Sequence, residues 1–297
     1  MSAALFRVRL PDGSARLAVG STASGPESLC ATEWTIDGLL AAGSDALEAC
    51  LASAGEGSAE GLAILAPVEN QEVWAAGVTY QRSREARVAE SNEPSVYDRV
   101  YEAARPELFL KSVGWRVRGP GETVGIRADS TWDVPEPELT LVIAADGAIV
   151  GYVIGNDMSS RSIEGDNPLY LPQAKIYASA CAIGPAIVPA SAVRLPFGIR
   201  VAIERDGSTV VSESTSTAQL NRTPEELVGY LLRAMAFPVG AFLMTGTGAV
   251  PGPDFTLRAD DVVRISIDGL GTLENRVAVV GETGDAGEPG MVGRSES

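Results

Sequence analysis

Histidine is absent from this chain and lysine nearly so: of its 23 basic residues only Lys111 and Lys175 are lysine. No imidazole is therefore available as a proton shuttle or a metal ligand. Cysteine is scarce too. Cys30, Cys50 and Cys181 are odd in number, far apart and without a CxxC pair, which argues against a disulfide framework or a thiolate metal site and leaves reduced thiols as the expectation. No run approaches the roughly 18 apolar residues needed to span a bilayer. The opening Met-Ser-Ala-Ala-Leu-Phe-Arg lacks the basic segment and apolar core of a signal peptide, so a cytoplasmic protein is expected. Positive charge is also in deficit. A net charge of −16 and a pI near 4.5 disfavour nucleic acid or an anionic membrane as partner and favour solubility.

What is present centres on residues 132 to 175. Glu136 and Glu138 stand two apart at the mouth of the apolar run Leu139 to Ile143, and a strand puts residues i and i+2 on one face. Gly147 marks a turn, and a second apolar run, Ile149 to Ile154, ends in Asn156 and Asp157. An antiparallel hairpin would return Asp157 to the two glutamates. Unpaired like charges beside buried strands cost several kcal/mol unless a cation or a proton intervenes. Glu136, Glu138 and Asp157 therefore read as an oxygen-only metal site, suited to Mg2+ or Mn2+, with Ca2+ a further hard cation, and not to zinc.

In an arginine-biased chain, two lysines inside motif-like stretches are candidates for chemistry that arginine, always protonated, cannot perform. Glu107, after the proline turn at Pro106, is a candidate general acid or base.

Along the chain, residues 4 to 20 alternate around Pro11-Asp-Gly13 as a hairpin, and residues 36 to 53 carry helical spacing broken at Gly43-Ser44-Asp45. Gly61 to Pro67 reads as a strand. A small α+β N-terminal domain over 1–70 and a second domain over 71–281 follow, with a polar, disordered tail over 282–297. Within the second domain we expect a strand at Val73 to Tyr80, an Arg-rich helix from Gln81 to Glu90 holding Arg82, Arg84 and Arg87, and a helix from Val96 to Ala104. Further on, a turn is expected at Gly184-Pro185, a hairpin around Asp206-Gly207, and a helix from Pro224 to Met235 capped by Thr223. The loop Thr245-Gly-Thr247-Gly248 converges N–H groups and hydroxyls that can hold a carboxylate.

Taken together, Glu136-x-Glu138-Leu, Gly-Asn-Asp157-x-Ser-x-Arg161, Gln173-Ala-Lys175, Ile183-Gly-Pro, Thr245-Gly-Thr247-Gly and Gly269-Leu-Gly-Thr-Leu-Glu-Asn275 resemble the fumarylacetoacetate hydrolase family from roughly Val73 to Val280. Asp166 to Lys175 and Pro106 to Lys111 resemble its 2-keto-3-deoxy-D-arabinonate dehydratase branch. The resemblance implies an α+β fold with a mixed β-sheet roll of the C-terminal-domain type, homodimers or larger homo-oligomers, and a small-molecule 2-keto acid substrate. It also implies Arg161, Gln173 and Thr247 as substrate binders. Hydrolases of the family carry a histidine after the Val73 strand, where this chain reads Tyr80-Gln-Arg-Ser-Arg-Glu, so hydrolysis by that route is disfavoured.

A 2-keto acid chelates one metal ion, which stabilises the enolate formed when C3 loses a proton. Loss of the C4 hydroxyl then needs a second proton-transfer group. Lys175 and Glu107 are the expected pair, with the order of acid and base open. The expected activity is a Mg2+-dependent dehydration of a 2-keto-3-deoxy pentonate to 2,5-dioxopentanoate. An acylpyruvate hydrolase, a 2-keto acid decarboxylase or isomerase, and a catalytically idle metal and keto-acid binder are the alternatives.

Overall fold

The structure is a computed structural model that describes residues 3–90 and 99–281. The expected tail over 282–297 and the first residues of the expected helix at 96–104 lie outside the described residues, whereas residues 99–102 are helical. No helix among the described residues is long and apolar enough to cross a membrane.

The chain opens with β1 (Ala3–Arg9), β2 (Ala15–Ser21) and β3 (Gly25–Leu29), followed by helices Ile36–Ala42 and Ala46–Ala52, β4 (Ala63–Leu65), β5 (Glu72–Gly77) and helix Gln81–Glu90. Next come β6 (Glu107–Val113), β7 (Thr123–Arg127), β8 (Asp133–Val134), β9 (Pro137–Ile143), β10 (Ile149–Asp157) and β11 (Ser159–Ser160). Short helices Arg161–Asp166 and Leu171–Lys175 lead to β12 (Cys181–Pro189), β13 (Gly198–Arg205), β14 (Ser208–Ser216), helix Pro224–Leu231, β15 (Ala241–Met244), β16 (Val262–Ile267) and β17 (Gly271–Val280).

Local chemistry accounts for the boundaries. The Thr35 and Thr223 hydroxyls accept the N–H groups of Gly38 and Glu226 and so cap their helices. Asp206 and Gly207 both take positive φ, 51° and 75°, the backbone of a two-residue hairpin that follows the right-handed strand twist.

Two sheets result. The larger runs β3-β2-β1-β12-β10-β9-β15-β5-β6 with β4 added beside β1, and the smaller runs β14-β13-β16-β17-β7. Strands expected in the N-terminal segment thus share a sheet with the carboxylate strands, through Leu5 opposite Ile187. One core lies between the sheets and includes Leu139, Leu141, Ile154, Val201 and Ile265. A second covers the far face of the large sheet, where Ile36, Leu39, Leu40 and Leu47 meet Val142, Val153 and Phe242. With both faces covered, the central strands are apolar almost throughout.

Three expectations are corrected. Gly184-Pro185 is not a turn but lies within β12, at the register shift between Tyr152 and Ile154 of β10, an irregularity that tolerates a residue lacking an N–H. A Cβ at Gly184 would stand 2.8 Å from the Pro120 ring. The strand expected over Gly61 to Pro67 is only Ala63–Leu65, the three residues that find partners on β1. The helix from Pro224 ends at Leu231 rather than Met235, as the chain turns to bury Phe237 before Pro238.

Candidate active site

The hairpin of β9 and β10 assembles the carboxylates. Gly155 stands opposite Glu138 and Asn156 opposite Pro137, and beyond them Glu136 and Asp157 exchange backbone hydrogen bonds of 3.2 and 3.0 Å. Period-two alternation sends Leu139 and Leu141 into the inter-sheet core and Glu136 and Glu138 to the opposite face, with Asp157 beside them. One ligand oxygen from each of the three lies within 4.8 Å of the others. All are buried, with exposures of 4, 1 and 1%.

Cations surround them. Lys175 Nζ donates to Glu136 Oε1 at 3.0 Å, to Asp157 Oδ2 at 3.2 Å and to the Ser159 hydroxyl. Lys111, wholly buried, pairs with Asp157 and donates to the carbonyls of Met158 and Lys175 at 2.8 and 2.6 Å. Arg161 approaches Glu136 at 3.1 Å. Glu138 accepts the backbone N–H of Gly246 at 2.5 Å, from the Thr-Gly-rich loop, where Gly246 takes φ 89° and a Cβ would strike the Thr79 hydroxyl at 2.0 Å. Burial, then the charges of Asp157 and Glu136, push the Glu138 carboxyl well above the usual range. Burial also holds the Lys111 ammonium below its ordinary value, against the pull of Asp157. Three buried carboxylates at this spacing fit a hard divalent cation, which would hold Glu138 ionised.

Glu136 and Asp157 border a narrow cleft lined also by Glu107, Glu164, Lys175, Ser83, Thr247 and Phe109. Glu107, at the start of the edge strand β6, reaches it over Gly77, where a Cβ would stand 2.0 Å from Glu107 Oε2; only glycine leaves that room. Val78 at the same wall takes φ 51°, a strained backbone for a β-branched residue and one that tends to mark functional sites. The Thr247 hydroxyl donates to the Ala249 carbonyl and accepts its N–H, both at 3.2 Å.

Of the residues singled out in the sequence, Glu136, Asp157, Lys175, Glu107 and Thr247 line this cleft, with Glu138 beside them in the triad and Arg161 turned to Glu136. Gln173 does not join them. On the helix Leu171–Lys175 it is exposed while Ala174 and Lys175 are buried, and its carbonyl accepts from Arg127 at 3.2 Å. Two cleft residues were missed, Ser83 and Glu164, which are 5 and 4% exposed. Glu164 had a readable signal. Ser160 caps the helix Arg161–Asp166 by accepting the Ile163 N–H, so Arg161 and Glu164, three apart, share its buried face.

Comparison with known proteins agrees with this geometry. The profile of the fumarylacetoacetate (FAA) hydrolase C-terminal family matches residues 72–278. A probable 2-keto-3-deoxyxylonate dehydratase of Haloferax volcanii is 50% identical over 216 residues, covering 72% of this chain and 74% of that protein. The 2-dehydro-3-deoxy-D-arabinonate dehydratase of Saccharolobus solfataricus is 42% identical over 217 residues, 71% of this chain and 72% of that one. A structure of 2-keto-3-deoxy-D-arabinonate dehydratase complexed with magnesium and 2,5-dioxopentanoate superposes with a TM-score of 0.80 at 33% identity, over 93% of this chain and 99% of the other. By these matches and by its carboxylate hairpin, this chain belongs to the fumarylacetoacetate hydrolase family.

Proposed function

We propose that the protein is a Mg2+-dependent hydro-lyase that removes water from a 2-keto-3-deoxy pentonate to give 2,5-dioxopentanoate. The observation that carries this reading is a buried carboxylate triad with one lysine against it and a second acid, Glu107, lining the same cleft. Histidine, on which the family's hydrolases rely, is absent.

When bound, Mg2+ held by Glu136, Glu138 and Asp157 supplies Lewis-acid polarisation of the keto-acid head. Lys111, Lys175 and Arg161 stand against Glu136 and Asp157 and offset part of the negative charge of the triad. Thr247 and the adjoining backbone line the wall against which that head is oriented. Lys175 and Glu107 then share two proton transfers. One takes the proton from C3 and the other protonates the departing C4 hydroxyl, so that one molecule of water leaves. Tautomerisation of the unsaturated 5-hydroxy acid gives the aldehyde at C5. The Phe109 ring lies 5.9 Å from Lys175 Nζ in the same wall of the cleft. Arg161 is proposed to act on the substrate site by holding Glu136, whereas Gln173, exposed and outside the cleft lining, is not carried forward as a contact. We further propose a cytoplasmic homo-oligomer, which light scattering tests.

The test is turnover of a 2-keto-3-deoxypentonate with Mg2+, the aldehyde being followed by a coupled dehydrogenase, beside an acylpyruvate and oxaloacetate. Aldehyde formation abolished by EDTA is expected. Turnover of only the other two substrates would reassign the reaction within the family.

A further inference from the structure

Two nucleophilic groups far along the fold from the cleft have no part in the proposed reaction. Cys30, just past the end of β3, and Cys50, on the buried face of the helix Ala46–Ala52, are wholly buried in the core on the far face of the large sheet. Ser53 ties their two segments together. Its hydroxyl donates to the Cys50 carbonyl at 2.7 Å and accepts the Ala31 N–H at 3.3 Å. The two thiols are hydrogen-bonded to each other. That bond, helped by the Ser53 hydroxyl and the Arg16 charge, holds the Cys30 thiol below its ordinary value against the effect of burial, whereas the same bond and burial push Cys50 up. Arg16 also donates to the Cys30 carbonyl. An exposed turn over residues 54–58 borders the pair, held to Leu29 by the N–H groups of Gly55 and Glu56 at 3.0 and 3.2 Å. A turn fastened by so few bonds opens locally at small cost.

We propose that Cys30 and Cys50 form an oxidation-sensitive dithiol, which a hydroperoxide converts into a disulfide that staples the helix Ala46–Ala52 to the end of β3. Adjacent thiols of unequal acidity beside a guanidinium are the arrangement in which one sulfur attacks and the other resolves. The Cys30 thiolate attacks one peroxide oxygen, the O–O bond breaks, and Cys30 becomes a sulfenic acid as the other oxygen leaves as water. The Cys50 sulfur then attacks the Cys30 sulfur. The S–S bond forms, the S–O bond breaks, and the hydroxyl leaves as a second water with the Cys50 proton. The two thiols are oxidised by two electrons in all, and the peroxide is reduced. The new bond closes the chain between residues 30 and 50, which restricts the unfolded state and so favours the folded one.

The experiment counts thiols. The full chain is treated with hydrogen peroxide under native conditions, excess peroxide is destroyed, and the protein is unfolded directly into an alkylating agent before peptide mapping by mass spectrometry. The alkylatable thiols are expected to fall from the three of the reduced chain to the single Cys181, which stands opposite Asp157 in β12, with the Cys30 and Cys50 peptides linked. The oxidised protein should melt about 5 °C or more above the reduced one, a gain that dithiothreitol removes. In Cys30→Ser and in Cys50→Ser neither the link nor the gain should form. Three alkylatable thiols after peroxide, a link through Cys181, or Cys30 stopping at a sulfinic acid overturns the proposal. So does a linked protein that melts no higher than the reduced one. Each of these results is read on the wild type and stands even where neither variant folds.

Discussion

Two regions of this protein place arginine or lysine against carboxylates, and they do so in opposite surroundings. On the small sheet, Arg264 of β16 bridges Glu204 of β13 and Glu274 of β17, with side chains 36, 36 and 51% exposed. At the end of the β9–β10 hairpin, Lys111, Lys175 and Arg161 meet Glu136 and Asp157 with side chains 0 to 5% exposed. Exposed pairs are screened by water and contribute about 0–1 kcal/mol. Buried ones barely recover their desolvation cost, and apolar residues of the same volume would often be more stable. The small sheet therefore tolerates its charges at little cost, whereas the hairpin retains an expensive cluster because chemistry needs it.

The difference is broken most sharply at Lys175. Lys175→Met should lower turnover by about 10²–10⁴-fold, the range of one proton-transfer group, while Mg2+ titration by calorimetry stays within a few-fold. A rate near that of the wild type removes Lys175 from the mechanism. Lys111→Met tests the other lysine as a strut. It leaves Asp157 without its buried partner and frees the carbonyls of Met158 and Lys175, so a loss of about 3–5 kcal/mol in urea unfolding is expected. A loss below about 1 kcal/mol would make the pair no better than an exposed one. Glu136→Gln should raise the Mg2+ concentration for half-maximal activity by at least about tenfold, since even outer-shell changes act on that scale. An unmoved midpoint would take Glu136 out of the metal site.

The triad was legible because two short-range rules coincide there. Period two puts Glu136 and Glu138 on one face, and a single glycine turn returns Asp157 to them. The two lysines were legible as oddities of composition, but nothing local separates Lys175, which enters the cleft, from Lys111, which lies beneath it. That distinction depends on β6 joining the sheet at β5, a long-range pairing. Glu107 was visible as a candidate, yet the room it occupies is made by Gly77 on the neighbouring strand. Gln173 shows the limit of motif reasoning: in a five-residue helix its neighbours Ala174 and Lys175 take the buried face. The partnership of β1 with β12, in which Leu5 faces Ile187, has no signature in either segment, and so the N-terminal strands read as a separate unit.

Asp133 extends the comparison to pH. It is buried in β8, and burial pushes its carboxyl up to about 6. In the unfolded chain the same group ionises near 3.9. Between about pH 4 and 6 the unfolded state therefore gives up this proton first, and stability falls as pH rises through that window. Asp133→Asn should flatten the fall, matching the wild type at pH 4 and exceeding its urea midpoint at pH 7. An undiminished slope would place the responsible group elsewhere.

The smallest effect should come from Arg264→Ala, which removes both pairs on the small sheet at once. Each partner stays in water, so no buried charge is left behind, and the change in unfolding free energy should be under about 1 kcal/mol, with turnover untouched. The two carboxylates left facing each other across β16 repel weakly. At about 1 M salt the screening length falls to roughly 3 Å, and even that small difference from the wild type should vanish. A loss of several kcal/mol, persisting in salt, would mean that the arginine stem packs against the sheet as core does, and that the two regions are less different than their exposures imply.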